Sequence, residues 1–190
     1  MASEIKVDAG KDQIVIANSK VSLKLLAGKW QGEMPGRDCP GPVVGIQSIK
    51  AEGPFQCRSG FRTDQAVLEW KARVVEQGPL FVDYLAEFRF QTAPKERQHP
   101  MVARKPEQGA FYTFRLRLYA GKEHALIQED YGGLARNDSL FISFSDGFQP
   151  TSSNAVRENS SEKTYRIQRP EKPHTFFIIP CWHVNADYNG

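Results

Sequence analysis

Three stretches of the chain alternate apolar and polar residues with a period of two, which is the pattern of a β-strand with one buried face. They cover residues 68–74, 82–90 and 112–118, and mostly charged residues occupy the positions between the apolar ones. The apolar positions are Leu68, Trp70, Ala72, Val74, Val82, Tyr84, Ala86, Phe88, Phe90, Tyr112, Phe114, Leu116 and Leu118. The pattern predicts three long strands of an antiparallel sheet that covers a core on one side.

Shorter apolar runs predict further strands, and glycine, proline and asparagine residues separate them as turns. These predicted strands are Gln13–Ala17, Val21–Leu26, Val43–Lys50, Ala125–Glu129, Ser139–Phe144, Lys163–Gln168 and Phe176–Ile179. No stretch of about 12 residues or more has the periodicity of a helix. The sequence therefore predicts an all-β fold, an antiparallel β-sandwich of two sheets with long loops.

Three segments interrupt the alternation and are predicted to be long loops, namely Gly28–Pro42, Gln91–Gly109 and Pro150–Glu162. The middle segment is polar and contains several prolines, and it joins two predicted strands whose charged faces complement each other. It therefore has the character of an extended hairpin loop and not of a linker between domains. Since no repeat of fixed period is present, we expect a single β-sandwich domain over residues 1–190.

The composition of the 190 residues is that of a folded domain. Hydrophobic residues make up 40% and aromatic residues 11%, and a disordered chain carries fewer aromatic residues than this. The net charge of +3 is small and scattered, which argues against nucleic acid as a partner. No apolar run approaches the roughly 20 residues of a membrane span, so we expect no membrane partner either.

Several kinds of site have no motif in this sequence. The three cysteines lack a CxxC pair, and there is no glycine-rich nucleotide loop, serine-hydrolase elbow or zinc-protease motif. We therefore expect no metal and no other cofactor. The amino terminus has neither the basic start nor the apolar core of a signal peptide. We expect a cytoplasmic protein, or an exported one whose signal peptide has been removed.

Four arginines on the charged side of the long predicted strands are candidate substrate-binding residues: Arg73, Arg89, Arg115 and Arg117. If consecutive strands pair, these arginines share one sheet face with Glu69, Asp83 and Glu87, and cross-strand ion pairs keep that face polar. One interpretation is a solvated outer face. The other is a platform whose guanidinium groups bind the carboxylates of an acidic sugar. The alternation is compatible with both.

The segment Pro180–Asn189 follows an apolar strand and brings aromatic and polar side chains into a loop-like stretch. His183 is its candidate catalytic residue, and Trp182, Asn185 and Asp187 are its candidate substrate-binding residues. An indole ring can stack on a sugar ring while amide and carboxylate groups bond to its hydroxyls. Alternatively, Trp182 belongs to the core and His183 bonds to the backbone.

His124 and Tyr131 are the other candidate catalytic residues. His124 lies near one end of a predicted strand, and Tyr131 opens the glycine turn beyond its other end. A Tyr/His pair can act as acid and base in β-elimination from a uronate, while an arginine neutralises the carboxylate. Glycoside hydrolysis by Glu129 and Asp130 is less favoured. Neighbours on a strand face opposite ways, so these two carboxylates would not meet at one bond.

Three phrases occur in order along the first two thirds of the chain: Ile16–Leu25, Val75–Leu80 and Tyr112–Gly121, the last continuing through Ala125–Glu129. Together they resemble the galactose-mutarotase-like β-supersandwich domain of bacterial polysaccharide lyases and glycoside hydrolases, including exo-acting rhamnogalacturonan lyase-like proteins. The resemblance implies a two-sheet antiparallel domain that works on polysaccharide. It also allows the chain to be the amino-terminal part of a longer enzyme, and it assigns no catalytic residue to a position of this sequence.

The residues and the resemblance together lead us to expect a carbohydrate-associated β-sandwich domain of a polysaccharide-degrading protein. The expected partner is an acidic plant or bacterial polysaccharide or oligosaccharide. If the protein is an enzyme, we expect a polysaccharide lyase or a glycoside hydrolase. The alternative is a non-catalytic β-sandwich module that contacts another protein or further domains of a longer chain.

Overall fold

The computed structural model describes residues 5–48, 57–92, 109–122, 124–135, 138–144, 153–155, 163–165 and 175–178. The regular elements of these residues are β-strands and one short 3₁₀ turn at Gly36–Asp38. The strands are β1 Lys6–Ala9, β2 Gln13–Ala17, β3 Val21–Leu26, β4 Gly28–Pro35, β5 Val43–Ser48, β6 Cys57–Arg62, β7 Ala66–Gln77, β8 Phe81–Phe90, β9 Ala110–Tyr119, β10 Ala125–Gly132, β11 Ser139–Phe144, β12 Ser153–Ala155, β13 Lys163–Tyr165 and β14 Thr175–Ile178.

These strands form antiparallel sheets, and two of the sheets pack face to face around one apolar core. Sheet A has the strand order β1-β2-β3-β5, and sheet B has the order β10-β9-β8-β7-β4. Sheet C has the order β14-β11-β6, and β12 pairs with β13. The predicted all-β fold, an antiparallel two-sheet sandwich, is confirmed. The three long predicted strands are neighbours in sheet B, as β7, β8 and β9.

The core between sheets A and B is built from every second residue of β8 and β9. From Val82 to Phe90 these side chains are buried, and buried residues of β9 stand opposite each of them. Burying one large apolar side chain contributes about 1.5–3 kcal/mol. Tyr84 spans the core, and its hydroxyl donates a 2.9 Å hydrogen bond to the carbonyl of Leu26 at the end of β3. Burial also raises the pKa of Tyr84, so this side chain stays neutral.

The prediction that Leu68 faces the core beside Trp70 is wrong. The register of β7 against β8 shifts between Val67 and Glu69, because β7 has an extra residue in a bulge there. On the amino-terminal side of the bulge, the residue that faces the core is therefore one position earlier than the alternation predicts. Val67 is consequently 0% exposed, whereas Leu68 is 39% exposed. After the bulge Trp70 stands opposite Phe88, as the predicted pattern requires.

The predicted loop Gly28–Pro42 is wrong in its first half, where β4 forms an edge of sheet B against β7. Glycine, proline and charged residues disfavour a central strand, but an edge strand tolerates them because one of its sides has no ladder to complete. The register of β4 also shifts between Gln31 and Met34. At the opposite edge of the sheet, β10 continues to Gly132, past the predicted end of that strand.

The remaining predictions are only partly covered by the described residues. β5 ends at Ser48, and the last two residues of its predicted range lie outside the described residues. The predicted loop Gln91–Gly109 is described only at its ends, and the predicted loop Pro150–Glu162 contains β12. β13 coincides with the start of a predicted strand, and β14 begins one residue earlier than predicted, at Thr175. The alternation does not predict β1 or β6.

Asn18 connects the two packed sheets through the turn between β2 and β3. Its side-chain amide donates hydrogen bonds to the carbonyls of Tyr119 and Lys122, at 2.7 and 2.8 Å, in the turn between β9 and β10. Its side-chain oxygen accepts hydrogen bonds from the backbone N–H groups of Lys20 and Val21, at 2.8 and 3.0 Å. A buried side chain with all of its groups bonded in this way fixes both turns.

We predict that Asn18→Asp lowers the free energy of unfolding by about 1–3 kcal/mol. A carboxylate has no N–H donor, so two carbonyls would face a negative charge instead of an amide. Urea denaturation measures the change. The exposed neighbour provides the matched control, Ser19→Ala, whose midpoint should stay close to that of the wild type. An Asn18→Asp midpoint equal to the wild-type value would contradict this role.

Candidate functional site

The outer face of sheet B carries a group of charged and aromatic side chains. On this face Asp83 of β8 stands opposite Arg117 of β9, and Phe81 stands opposite Tyr119. Arg115 is two residues from Arg117 on the same strand, so both side chains lie on the same side of the sheet. These five residues, from two neighbouring strands, are called the Asp83 cluster below.

Two guanidinium groups bind the one carboxylate of Asp83. Arg117 contacts it twice, from Nε to Oδ1 at 2.5 Å and from Nη2 to Oδ2 at 2.7 Å. Arg115 contacts it once, from Nη2 to Oδ2 at 3.1 Å. The Asp83 side chain is 0% exposed, although it stands on the outer face of the sheet. We attribute this shielding to the arginine side chains that lie against it.

The ion pairs determine the charge state of the cluster. The hydrogen bond from Arg117 has the largest effect and lowers the pKa of Asp83. Burial acts in the opposite direction, and the positive charges of both arginines lower the pKa further. The bond to Asp83 in turn raises the pKa of Arg117. Asp83 is therefore ionised at neutral pH, and two positive charges around one negative charge leave the cluster with one net positive charge.

Aromatic rings complete the cluster. The guanidinium carbon of Arg117 lies 4.2 Å from the centre of the Phe81 ring, which is the distance of a cation–π contact. The Phe81 and Tyr119 rings are tilted against each other with their centres 6.1 Å apart. A hydrogen bond with the Tyr119 side chain contributes to the raised pKa of Arg117. Arg117 is thus fixed by a carboxylate, a ring face and a phenol group.

The other two predicted binding arginines lie on the same face but outside the cluster. Arg73 donates a 2.8 Å hydrogen bond from Nη1 to Glu87, and both side chains are close to half exposed. Arg89 lies over the Phe111 ring, 5.7 Å from its centre. The structure therefore brings all four predicted arginines onto one face of sheet B, where Arg115 and Arg117 share Asp83 as a partner.

His124 and Tyr131 are not brought together. His124 is exposed and directly precedes β10, whereas Tyr131 lies near the other end of β10, opposite Tyr112. Seven residue steps along the extended chain separate them by about 23 Å. These two residues therefore do not form an acid–base pair. Glu129 and Asp130 face opposite sides of the strand, as the alternation requires.

Glu129 points to the inner side of sheet B, where the Tyr112 hydroxyl donates a short hydrogen bond to its Oε1 atom. Burial raises the pKa of Glu129, and the bond from Tyr112 offsets part of that effect. Burial also raises the pKa of Tyr112, and the nearby Glu129 charge adds to it. The Tyr112 phenol therefore stays protonated, and Glu129 keeps its own proton to a higher pH than an exposed carboxylate does.

A narrow cavity adjoins Tyr112 on this inner side, where β6 and the segment around Ser139 approach sheet B. It is about 20 Å³ in volume, which holds about one water molecule. A sugar ring does not fit into this space. The lining residues are Phe61, Thr63, Phe90, Tyr112, Leu134, Asp138, Ser139 and Leu140. Burial raises the pKa of Asp138, and its carboxylate accepts a 2.7 Å hydrogen bond from the Ala135 N–H group.

Two features of the site are absent from the sequence-based candidates. In the sequence pattern, Asp83 is only one of several charged residues on an outer face. The register of the strands is needed to place it between Arg115 and Arg117. The sequence does contain a signal for the inward position of Glu129. Every second residue of one strand, namely Ala125, Ile127, Glu129 and Tyr131, shares the inward side. A carboxylate at an inward position predicts a buried partner.

The candidate residues of the carboxyl-terminal segment, Trp182, His183, Asn185 and Asp187, lie outside the described residues. Within the described part of the chain, no group of three or more histidine, cysteine or carboxylate side chains is placed to hold a metal ion. None of the described residues forms a helix that is long and apolar enough to cross a membrane.

The described cysteines, Cys39 and Cys57, are buried free thiols. Burial raises the pKa of Cys39 to about 12 and that of Cys57 to about 11. A thiol nucleophile acts as the thiolate, so neither side chain is a nucleophile at neutral pH.

Comparison of the chain with protein-family models, with curated proteins and with solved structures gives no match. What the site can bind is therefore inferred from its own geometry. The Asp83 cluster combines exposed guanidinium donors, one net positive charge and aromatic rings, and this combination suits an anionic ligand with a stacking surface.

We predict that Asp83→Asn lowers the free energy of unfolding at neutral pH by about 1–2 kcal/mol, because an amide accepts weaker hydrogen bonds from the two arginines. Since the pKa of Asp83 is lowered in the folded protein, its contribution is present above about pH 4 and is lost as the pH falls through the folded-state pKa. Urea denaturation at neutral and acidic pH checks both points. A difference between variant and wild type that grows on acidification would exclude this explanation.

We predict the opposite pH dependence for Glu129→Gln. A raised pKa means that the folded state favours the protonated form, so stability is fully present below about pH 4 and is lost as the pH rises through the folded-state pKa. Glutamine cannot ionise, and the variant should therefore be more stable than the wild type at neutral pH, by about 1 kcal/mol. The advantage should disappear in acid. Thermal unfolding over the same pH range measures it, and a neutral-pH loss of stability would contradict the inference.

Proposed function

We propose that the chain is a carbohydrate-associated β-sandwich domain of a polysaccharide-degrading protein, a lyase or glycosidase of acidic polysaccharide. In this proposal the polymer lies on the outer face of sheet B, and the Asp83 cluster holds one of its carboxylates. The observation that supports it is the convergence of Arg115 and Arg117 on one shielded carboxylate, which leaves guanidinium donors directed to solvent.

The chemistry of the cluster fits a uronate better than a neutral sugar. A guanidinium group presents N–H donors in a planar fork that matches the two oxygens of a carboxylate. Phe81 and Tyr119 offer ring surface beside these donors, on which the C–H face of a sugar can pack. An open sheet face also admits a long polymer, which the narrow cavity on the inner side does not.

Exposed apolar residues beside the cluster favour a second candidate, a non-catalytic module that contacts another protein. Leu126 of β10 stands opposite Arg117 and is 53% exposed, and Leu80 next to Phe81 is also exposed. An apolar patch rimmed by charge is a common feature of protein contact surfaces. The two candidates differ in the expected effect of a free acidic polymer, which binds only in the first.

Isothermal titration with polygalacturonate, and with a neutral galactan of similar length, tests the first candidate. We predict binding of the acidic polymer that Arg115→Gln together with Arg117→Gln weakens by about tenfold or more, equivalent to about 1.4 kcal/mol. The matched control is Arg58→Gln together with Arg62→Gln, which removes the same two charges from exposed positions of sheet C. Glutamine keeps much of the arginine side-chain length, so the comparison isolates the guanidinium group.

Two results would contradict the proposal. The first is no binding of polygalacturonate by folded wild-type protein, and the second is equal weakening by the control and the double variant. Ultraviolet absorbance of the unsaturated uronate product, recorded on the same mixtures, reports whether the chain also carries out β-elimination.

A further inference from the structure

We infer that Asp83 is a positioning residue, which holds Arg115 and Arg117 together as a receptor for the planar carboxylate of a uronate. This inference rests on the proposed function of the same face. It adds that Asp83 makes this face selective for a planar carboxylate. Asp83 itself does not touch the ligand, because its side chain is 0% exposed beneath the two arginines.

The two arginines of the cluster repel each other. Arg115 and Arg117 lie on the same side of β9, with backbones about 7 Å apart. Two like charges at this distance repel each other, and long side chains in solvent turn away from one another. Asp83 places one negative charge between them and gives each guanidinium group a fixed partner.

Several guanidinium N–H donors of the cluster remain after the bonds to Asp83 are made. Arg115 contacts Asp83 through Nη2 alone, so its Nε and Nη1 groups are left for another acceptor. Its side chain is 47% exposed, and that of Arg117 is 36% exposed. An anion approaching the face therefore meets guanidinium N–H groups, whereas the carboxylate that orients them is out of reach. This arrangement favours a planar, two-oxygen acceptor over a single negative charge.

The Arg73–Glu87 ion pair of the same face differs from the Asp83 cluster. Glu87 accepts one hydrogen bond from Arg73, and both side chains are close to half exposed. Exposed pairs of this kind hold their partners weakly, since solvent screens them. Glu87 therefore adds a negative charge to the face without orienting a receptor. It lies on the same strand and side as Asp83, which makes it a matched control.

The two carboxylates give opposite predictions for binding. If only net charge mattered, Asp83→Asn and Glu87→Gln would both strengthen binding of polygalacturonate, because each removes a negative charge. We predict instead that Asp83→Asn weakens binding by about fivefold or more, whereas Glu87→Gln leaves it unchanged or slightly stronger. Isothermal titration at a temperature where circular dichroism shows both variants folded measures the difference.

Two further variants separate positioning from a general structural effect. In the Arg115→Gln, Arg117→Gln background, Asp83→Asn should have no additional effect on binding, because the side chains that it positions are gone. Arg115→Lys keeps the charge at an exposed position and removes the planar fork, so it should also weaken binding by about fivefold. This second variant tests the geometry of the receptor even if Asp83→Asn fails to fold.

The outcomes distinguish this inference from the proposed function. Binding that depends on Arg115 and Arg117 but is unchanged or stronger in Asp83→Asn overturns the positioning role and leaves the proposed function standing. Unchanged binding by Arg115→Lys overturns the selectivity for a planar carboxylate. Absence of polygalacturonate binding by the wild type overturns both. Weakening by Asp83→Asn alone among the two carboxylate variants supports the inference.

Discussion

The alternation of side chains across β8 and β9 is the constraint on which the core and the charged face both depend. In a pleated strand, each step along the backbone moves the next side chain to the opposite side. Val82 and Tyr84 therefore enter the core, and Asp83 between them must face outward. A slip of one residue would expose the apolar set and bury the charges, so the large free energy of apolar burial also fixes the ionic pairing on the other face.

Two carboxylates of sheet B show how the side of a strand determines acid chemistry. Asp83 is outward and bound by two arginines, and its pKa is lowered. Glu129 is inward and bonded to the neutral Tyr112 hydroxyl, and its pKa is raised by burial. Asp83 is fully shielded from water and Glu129 partly so, but of the two only Asp83 has positive charge beside it. The outward carboxylate therefore acts as a fixed charge, and the inward one as a proton-holding group of the core.

The Asp83 cluster also depends on contacts outside its own sheet. Tyr119 ends β9, and its carbonyl accepts a hydrogen bond from Asn18 in the β2–β3 turn of sheet A. The backbone N–H group of Ala120 donates to the carbonyl of Leu80, which joins the ends of the two hairpins that carry the cluster. The packing of the sandwich therefore fixes the aromatic residues of the cluster, Phe81 and Tyr119. Asp83 fixes its two arginines, Arg115 and Arg117.

The sequence by itself determined the period of the long strands, the all-β class and the common face of the four arginines, because these follow from local alternation. It misplaced Leu68 and the segment that forms β4, since a bulge and an edge position depend on the neighbouring strand. It also could not pair Asp83 with Arg115 and Arg117. Register decides which side chains meet, and register is set by cross-strand packing between residues distant in the chain.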